Sequence, residues 1–253
     1  MSQGLQPVRF GTRVVTVAAV AFDKDGTLLQ SQPFWHELYR LRRALVREVA
    51  NEEIAGIWER EAGASGGQFD RRGPFSVATL GEEITLTAGL FYRQFGWSWE
   101  RCRDAARWVY EESNRRLDLA KVTVARSGAV EVVRSLKQAG VAVGVLTSDN
   151  ADRARRALAL VGLPDTVWDF LLTPADVDQP KPAPDMVLAA CAAVGCPPEM
   201  VAVVGDSAVD MQMGRSAGAF AVGVPEEPAD ASFLAPLADV ILPGFQGIVV
   251  SRE

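Results

Sequence analysis

The chain has 253 residues, of which 48% are hydrophobic and 23% charged, the balance of a globular protein large enough for one big domain or two modest ones. A formal net charge of −6 argues against the basic surface of a nucleic-acid binder and leaves any anionic ligand to be attracted by local charges. Its three cysteines, Cys102, Cys191 and Cys196, are odd in number and form no CxxC or Cys/His cluster, so neither a disulfide framework nor a zinc site is expected.

Reduced thiols of a cytoplasmic protein are the simpler reading. No charged leader with an apolar stretch and cleavage site opens the chain. The first apolar run, Val14–Phe22, is too short to span a bilayer, so no membrane partner is expected. The run is rich in valine and alanine and does not alternate, which predicts a single, fully buried strand of a parallel sheet.

Residues 30–120 read differently. A helix is predicted over Gln32–Ala50, with Leu38, Leu41, Leu45 and Val49 in register, and a second over Ile54–Glu61. Ala62–Pro74 is glycine-rich and polar and reads as a loop. Phe75–Phe95 and Ser98–Leu117 are helical again. This all-helical stretch is too long for a connection and reads as a second domain hinged near 29–32 and 118–125, with residues 1–29 and 121–253 forming the other. Phe34, Trp35, Trp58, Trp97, Trp99 and Trp108 concentrate in it and read chiefly as its core, Phe34 and Trp35 being the candidates for a cleft wall.

From residue 127 strands and helices alternate. Ser127 is expected to cap a helix carrying Val132, Val133 and Leu136 that stops at Gly140. A strand follows at Val141–Leu146, then a helix from Ala151 to Gly162 and a short strand at Trp168–Leu172. A helix from Pro184 presents Val187, Ala190, Cys191 and Val194 before Gly195. Val201–Val204 is a strand, Ala208–Ala217 a helix ended by Gly218, and Ala219–Val224 and Asp239–Leu242 are weaker strands. The alternation implies βαβ units around a parallel sheet.

In such sheets, sites form beyond the carboxyl ends of the strands. The first strand ends at Asp23-Lys24-Asp25-Gly26-Thr27, the second at Thr147-Ser148-Asp149-Asn150, the third at Gly205-Asp206-Ser207 with Asp210 one turn on. Between the last two lies Gln179-Pro180-Lys181-Pro182-Ala183-Pro184. This inventory suits phosphoryl transfer. Asp23, Asp206 and a backbone carbonyl can hold Mg²⁺, which prefers oxygen ligands. Thr147, Lys181 and N–H groups near Gly26 and Ser148 can hold phosphoryl oxygens. Asp23 suits a nucleophile that splits hydrolysis into two steps, and Asp25 a group that protonates the leaving oxygen and then activates water.

These four motifs, in this order, resemble the haloacid dehalogenase (HAD) superfamily in its phosphatase branch, over residues 14–29 and 121–242. The resemblance implies an α/β fold, a Rossmann-like parallel sheet with an inserted all-α cap domain of the C1 type at 30–120. It further implies that the Asp25 carbonyl touches Mg²⁺ and that Asp210 supports the metal shell. The expected activity is that of a Mg²⁺-dependent, phosphoglycolate-phosphatase-like enzyme. Its substrate is expected to be a small phosphorylated metabolite (phosphoglycolate-like or a sugar phosphate), cleaved through an aspartyl-phosphate. A phosphomutase of the β-phosphoglucomutase type and a catalytically silent binding protein on the same fold stay open, as does monomer against homodimer. Asp25 argues against dehalogenation, and the absence of lysine from 30–120 against phosphonate cleavage by a cap Schiff base.

Strand alternation turns Lys24 away from the two acids, towards solvent or a salt bridge. His36, the single histidine, lies one position from where related phosphomutases place theirs, about 100° out of helix phase. It reads first as a helix residue at the hinge or surface and second as a substrate group. Arg71 and Arg72, in the glycine-flanked loop, could bind a second anionic group. With Phe34 and His36 they are the candidates for substrate specificity. Asn150 reads as a helix cap before a substrate ligand.

Overall fold

In the computed structural model, which describes residues 4–70 and 73–251, the chain opens with three strands, β1 (Gln6–Phe10), β2 (Arg13–Val17) and β3 (Ala19–Phe22). It continues through α1 (Gln32–Val49), α2 (Glu52–Glu61), the short strands β4 (Ala64–Ser65) and β5 (Gln68–Phe69), α3 (Pro74–Val77), α4 (Leu80–Phe95), α5 (Trp99–Arg116) and α6 (Leu119–Val122). Strands and helices then alternate: α7 (Ala129–Gln138), β6 (Ala142–Leu146), α8 (Ala151–Leu160), β7 (Phe170–Leu172), α9 (Asp185–Val194), β8 (Val201–Gly205), α10 (Ala208–Ala217), β9 (Phe220–Gly223), α11 (Ala231–Leu234), β10 (Val240–Ile241) and β11 (Ile248–Val250). Two compact units result, Met1–Ser31 with Thr123–Glu253, and Gln32–Val122. Among the described residues no helix is long and apolar enough to cross a membrane, and the three cysteines are free.

The first unit is built on a six-stranded parallel sheet in the order β10-β9-β8-β3-β6-β7. Both faces of its central strands are covered, which explains their unbroken apolar sequences. Val20 and Phe22 face a core with Val143, Val145, Val204, Val133 and Leu158. Ala19 and Ala21 face the opposite one, with Leu146, Met186, Val187, Val203 and Met213. After β3 the chain builds outward through β6 and β7, then returns to the other side of β3 for β8. Such a reversal opens a crevice at the carboxyl ends of the flanking strands.

The expectation of one buried strand over Val14–Phe22 is corrected. The run breaks at Ala18, whose N–H donates to Met200 O at 2.8 Å. Its first half, β2, belongs to a separate antiparallel sheet, β11-β1-β2, and Val14 is 60% exposed. Val8, Phe10, Val17 and Ile248 of that small sheet close the first core. The next helix also departs from expectation: α7 starts after Gly128, which occupies the N-cap position in place of Ser127. Asn150, by contrast, caps α8 by accepting from Arg153 N at 2.9 Å.

The second unit packs α1, α2, α4 and α5 around Leu45, Val46, Trp58, Leu90, Phe91 and Val109. It is not wholly helical, because the β4–β5 hairpin lies in the stretch read as loop. Trp58 is buried and donates its ring N–H to Thr87 Oγ1 at 3.1 Å, whereas Trp99 and Trp108 are exposed. Arg42 and Glu83 form a buried pair at 2.8 Å, with the guanidinium 4.4 Å from the Tyr110 ring centre. Burial pushes the Glu83 carboxyl up to about 7 against the pull of Arg42.

Gly144 of β6 shows how closely the parallel sheet is covered: a Cβ there would lie 2.1 Å from the Phe170 ring. Gly144→Ala should therefore destabilise the protein by about 1–3 kcal/mol, the usual range for overpacking, read as a lower urea midpoint. An unchanged midpoint would show that the Phe170 ring swings aside without loss.

Candidate active site

The end of β3 is anchored from its neighbour: Asp23 N donates to Val204 O of β8 at 2.9 Å. The following residues turn sharply, with Gly26 N bonded to Leu29 O at 2.8 Å and Leu29 N to Lys24 O at 2.9 Å. Gly26 has φ 82, and a Cβ on it would lie 2.3 Å from Asp206 Oδ2. Only glycine meets both demands at low cost. Thr27, fully buried, donates its hydroxyl to Asp206 Oδ1 at 2.7 Å. Arg126 fastens the turn from behind, donating to the carbonyls of Gly26 at 2.6 Å, Val224 at 2.7 Å and Pro225 at 2.8 Å.

Three carboxylates converge here. Asp23, Asp206 and Asp210 each place an oxygen within 4.8 Å of the others. Lys181 reaches in from its loop, whose Lys181–Pro182 bond is cis, and its ammonium lies 2.6 Å from both Asp23 Oδ1 and Asp210 Oδ1. The second oxygen of Asp210 closes a capping box at the start of α10, accepting from the Ser207 N–H at 3.2 Å and hydroxyl at 2.5 Å. Burial raises Asp23 to about 7, with Lys181 pulling it down and Asp210 and Asp25 pushing it up. Asp206 is raised well above the carboxylate range, first by burial and then by Asp23 and Asp210. Burial disfavours the charged Lys181, but Asp210 and Asp23 outweigh it and raise the lysine above its ordinary value. The set is thus short of positive charge. Carboxylate oxygens at this spacing fit a hard divalent cation, which Asp23 and Asp206 are free to ligate more fully than Asp210.

The other expected residues fall into place unevenly. Thr147 stands two residues past the rung that pairs Phe22 with Val145, at the carboxyl end of the strand next to β3. It is buried and accepts from Asp149 N at 3.1 Å, leaving its hydroxyl proton to donate. Ser148 is exposed beside it. Asp25 is outside the carboxylate cluster and bonds Lys24 at 2.6 Å. Lys24 is not solvent-exposed: it is buried, between Asp25 and Asp149. In the other unit, His36 is exposed on α1, 2.9 Å from Gln32 Oε1 and beside Phe69, while Phe34 is half-buried edge-on to Trp35. Arg71 and Arg72 lie outside the described residues. Sequence reasoning assigned no role to Arg126 or Asp149. An arginine just after the second linker carries no distinctive pattern, but a charge three residues past the end of an apolar strand was a visible signal at Asp149.

The model for haloacid dehalogenase-like hydrolases matches residues 17–218. The chain belongs to this family. Among its haloacid dehalogenase-like relatives, a protein of Caldanaerobacter subterraneus subsp. tengcongensis, provisionally named pyrophosphatase PpaX, is 29% identical over 210 residues, 82% of this chain and 81% of that one. Phosphoserine phosphatase of Halobacterium salinarum is 32% identical over 220 residues, 83% and 86% of the two chains. A solved structure provisionally named β-phosphoglucomutase, from Thermotoga maritima, matches with TM-score 0.62 at 20% identity over 91% of this chain and 96% of that one. At that identity it shows the haloacid dehalogenase-like fold and nothing finer.

A carboxyl raised in the folded state favours folding in its protonated form. For Asp23 that contribution is complete below 3.8 and is lost as pH rises through about 7. A cation that binds the ionised cluster then compensates. Mg²⁺ should raise the melting temperature little at pH 5 and clearly at pH 8. In Asp206→Asn the pH 8 gain should largely disappear. An equal gain in both proteins would place the cation elsewhere.

Proposed function

We propose that the protein is a Mg²⁺-dependent phosphatase of small phosphorylated metabolites, phosphoglycolate-like compounds or sugar phosphates, working through an aspartyl-phosphate. The observation that carries this reading is the meeting of Asp23, Asp206, Asp210 and Lys181 at the carboxyl ends of β3 and β8. Two relatives matched over more than four fifths of both chains bear the names of a pyrophosphatase and a phosphoserine phosphatase, and both names denote action on small phosphorylated compounds. When bound, Mg²⁺ supplies charge neutralisation between the attacking carboxylate and the phosphate, with Asp23, Asp206 and the Asp25 carbonyl as its ligands and Asp210 supporting them.

The remaining work falls to the chain. Asp23 attacks phosphorus and becomes phosphorylated. Lys181 orients Asp23 and offers positive charge to the phosphoryl oxygens, as do the Thr147 hydroxyl and the backbone N–H groups near Gly26 and Ser148. Asp25 gives a proton to the leaving oxygen, then takes one from the water that releases phosphate. Burial around Asp23 excludes bulk water and strengthens each of these charges.

A panel of small phosphate esters assayed for free orthophosphate tests the proposal. Turnover should require Mg²⁺, and Asp23→Asn should lower it by at least about a thousandfold while leaving the circular dichroism spectrum unchanged. Activity within tenfold of wild type would remove Asp23 as nucleophile. An isomerised ester in place of orthophosphate would move the protein to the phosphomutases.

A further inference from the structure

A buried lysine costs the fold free energy unless its charge is paired, and the pairs of Lys24 lead directly to the proton-transfer group. Lys24 is 2% exposed. Its ammonium lies 2.6 Å from Asp25 Oδ1 and 3.1 Å from Asp149 Oδ2. Asp149 is fixed in turn: Oδ1 accepts from Arg153 Nε at 2.6 Å and from Asn150 N at 2.7 Å, and its own N–H donates to Thr147 Oγ1. Charges alternate along Asp25, Lys24, Asp149 and Arg153, ending on the first turn of α8. The Asp25 side chain is 32% exposed, against 13% for Asp23 and 2% for Asp210. Among the described residues Lys24 is its sole hydrogen-bond and ion partner, and the bond is made at Oδ1.

We propose that Lys24 is a positioning residue for proton transfer: backed by Asp149 and Arg153, it holds Oδ1 of Asp25 and leaves Oδ2 to serve the leaving oxygen and then the attacking water. The inference rests on the phosphatase reading above. In the first step an Asp23 oxygen bonds to phosphorus and the ester P–O bond breaks, its electron pair going to the leaving oxygen. The proton on Asp25 Oδ2 passes to that oxygen. In the second step a water oxygen bonds to phosphorus, the P–O bond to Asp23 breaks, and a proton of the water returns to Asp25 Oδ2. Lys24 keeps its proton throughout. Without the ammonium, the Asp25 carboxyl rotates freely about its side-chain bonds. A misplaced acid matters most where the leaving oxygen is strongly basic.

The test compares kcat/KM for phenyl phosphate and p-nitrophenyl phosphate, two esters of similar shape whose leaving oxygens differ in basicity. Lys24→Met should lower both, but phenyl phosphate more, so that the ratio of the two falls by about tenfold, a part of the roughly 10²–10⁴-fold that a positioned acid or base supplies. Asp149→Asn, which loosens Lys24 without touching Asp25, should shift the ratio the same way by less. Circular dichroism checks that each variant is folded. An unchanged ratio, with or without a loss in both rates, overturns the inference: Lys24 would then be structural. A folded wild-type protein inactive towards both esters with Mg²⁺ overturns the phosphatase reading, and the inference with it.

Discussion

Three carboxylates sharing 4.8 Å at the mouth of a parallel sheet repel one another, and the rest of the site is arranged around that repulsion. One ammonium, Lys181, bridges two of them, and a threonine hydroxyl takes the third. Burial works against the charged forms and holds Asp23 and Asp206 well above ordinary carboxylate behaviour. A site in this condition is poised for added positive charge. The same crowding that makes the arrangement costly by itself makes a hard cation and an electrophilic phosphorus welcome guests.

Holding these groups in register takes more than their own bonds. Asp210 spends one oxygen on capping α10, so the helix that carries it also aims it. Arg126 reaches three backbone carbonyls on two loops, and Glu226 takes both the N–H and the hydroxyl of Ser31. The turn after Asp23 is therefore bound to the loop after β9 from two directions. Half-buried charge that is hydrogen-bonded several times over serves as a connector here, because breaking one of these bonds would leave a polar group poorly solvated.

The parallel sheet was legible because Ala19–Phe22, Ala142–Leu146 and Val201–Gly205 are apolar on both faces, and each ends in the polar residues that form the site. The antiparallel sheet was not read, although its signals are present. Val8 and Phe10 alternate with exposed Arg9, and Gly11-Thr12 makes a two-residue hairpin turn, with Gly11 at φ 61. The run Val14–Phe22 masked the break because valine and alanine suit either sheet. The other partner of β1, Ile248–Val250, lies at the far end of the chain, and no local pattern can announce such a pairing. The carboxylates and Lys181 were legible as residues in their motifs. Their electrostatic state was not, because burial and spacing decide it. Lys24 shows this: alternation turned it away from both acids, yet it bonds Asp25, and its burial between Asp25 and Asp149 depends on a strand end remote in sequence.

β3 sits in the middle of the sheet, yet both strands that flank it follow the whole helical unit in the chain. During synthesis Asp23 is thus made early, and the apolar strand before it remains unpaired in this sheet until β6 and β8 emerge. Pairings of such long sequence separation are slow to form and leave sticky edges exposed meanwhile. The helical unit, with its own core, can fold in that interval and occupy the chain between the two halves. The order of the sequence therefore delays the carboxylate cluster until Asp206, Asp210 and Lys181 are present, so a prematurely ended chain carries Asp23 but not the site.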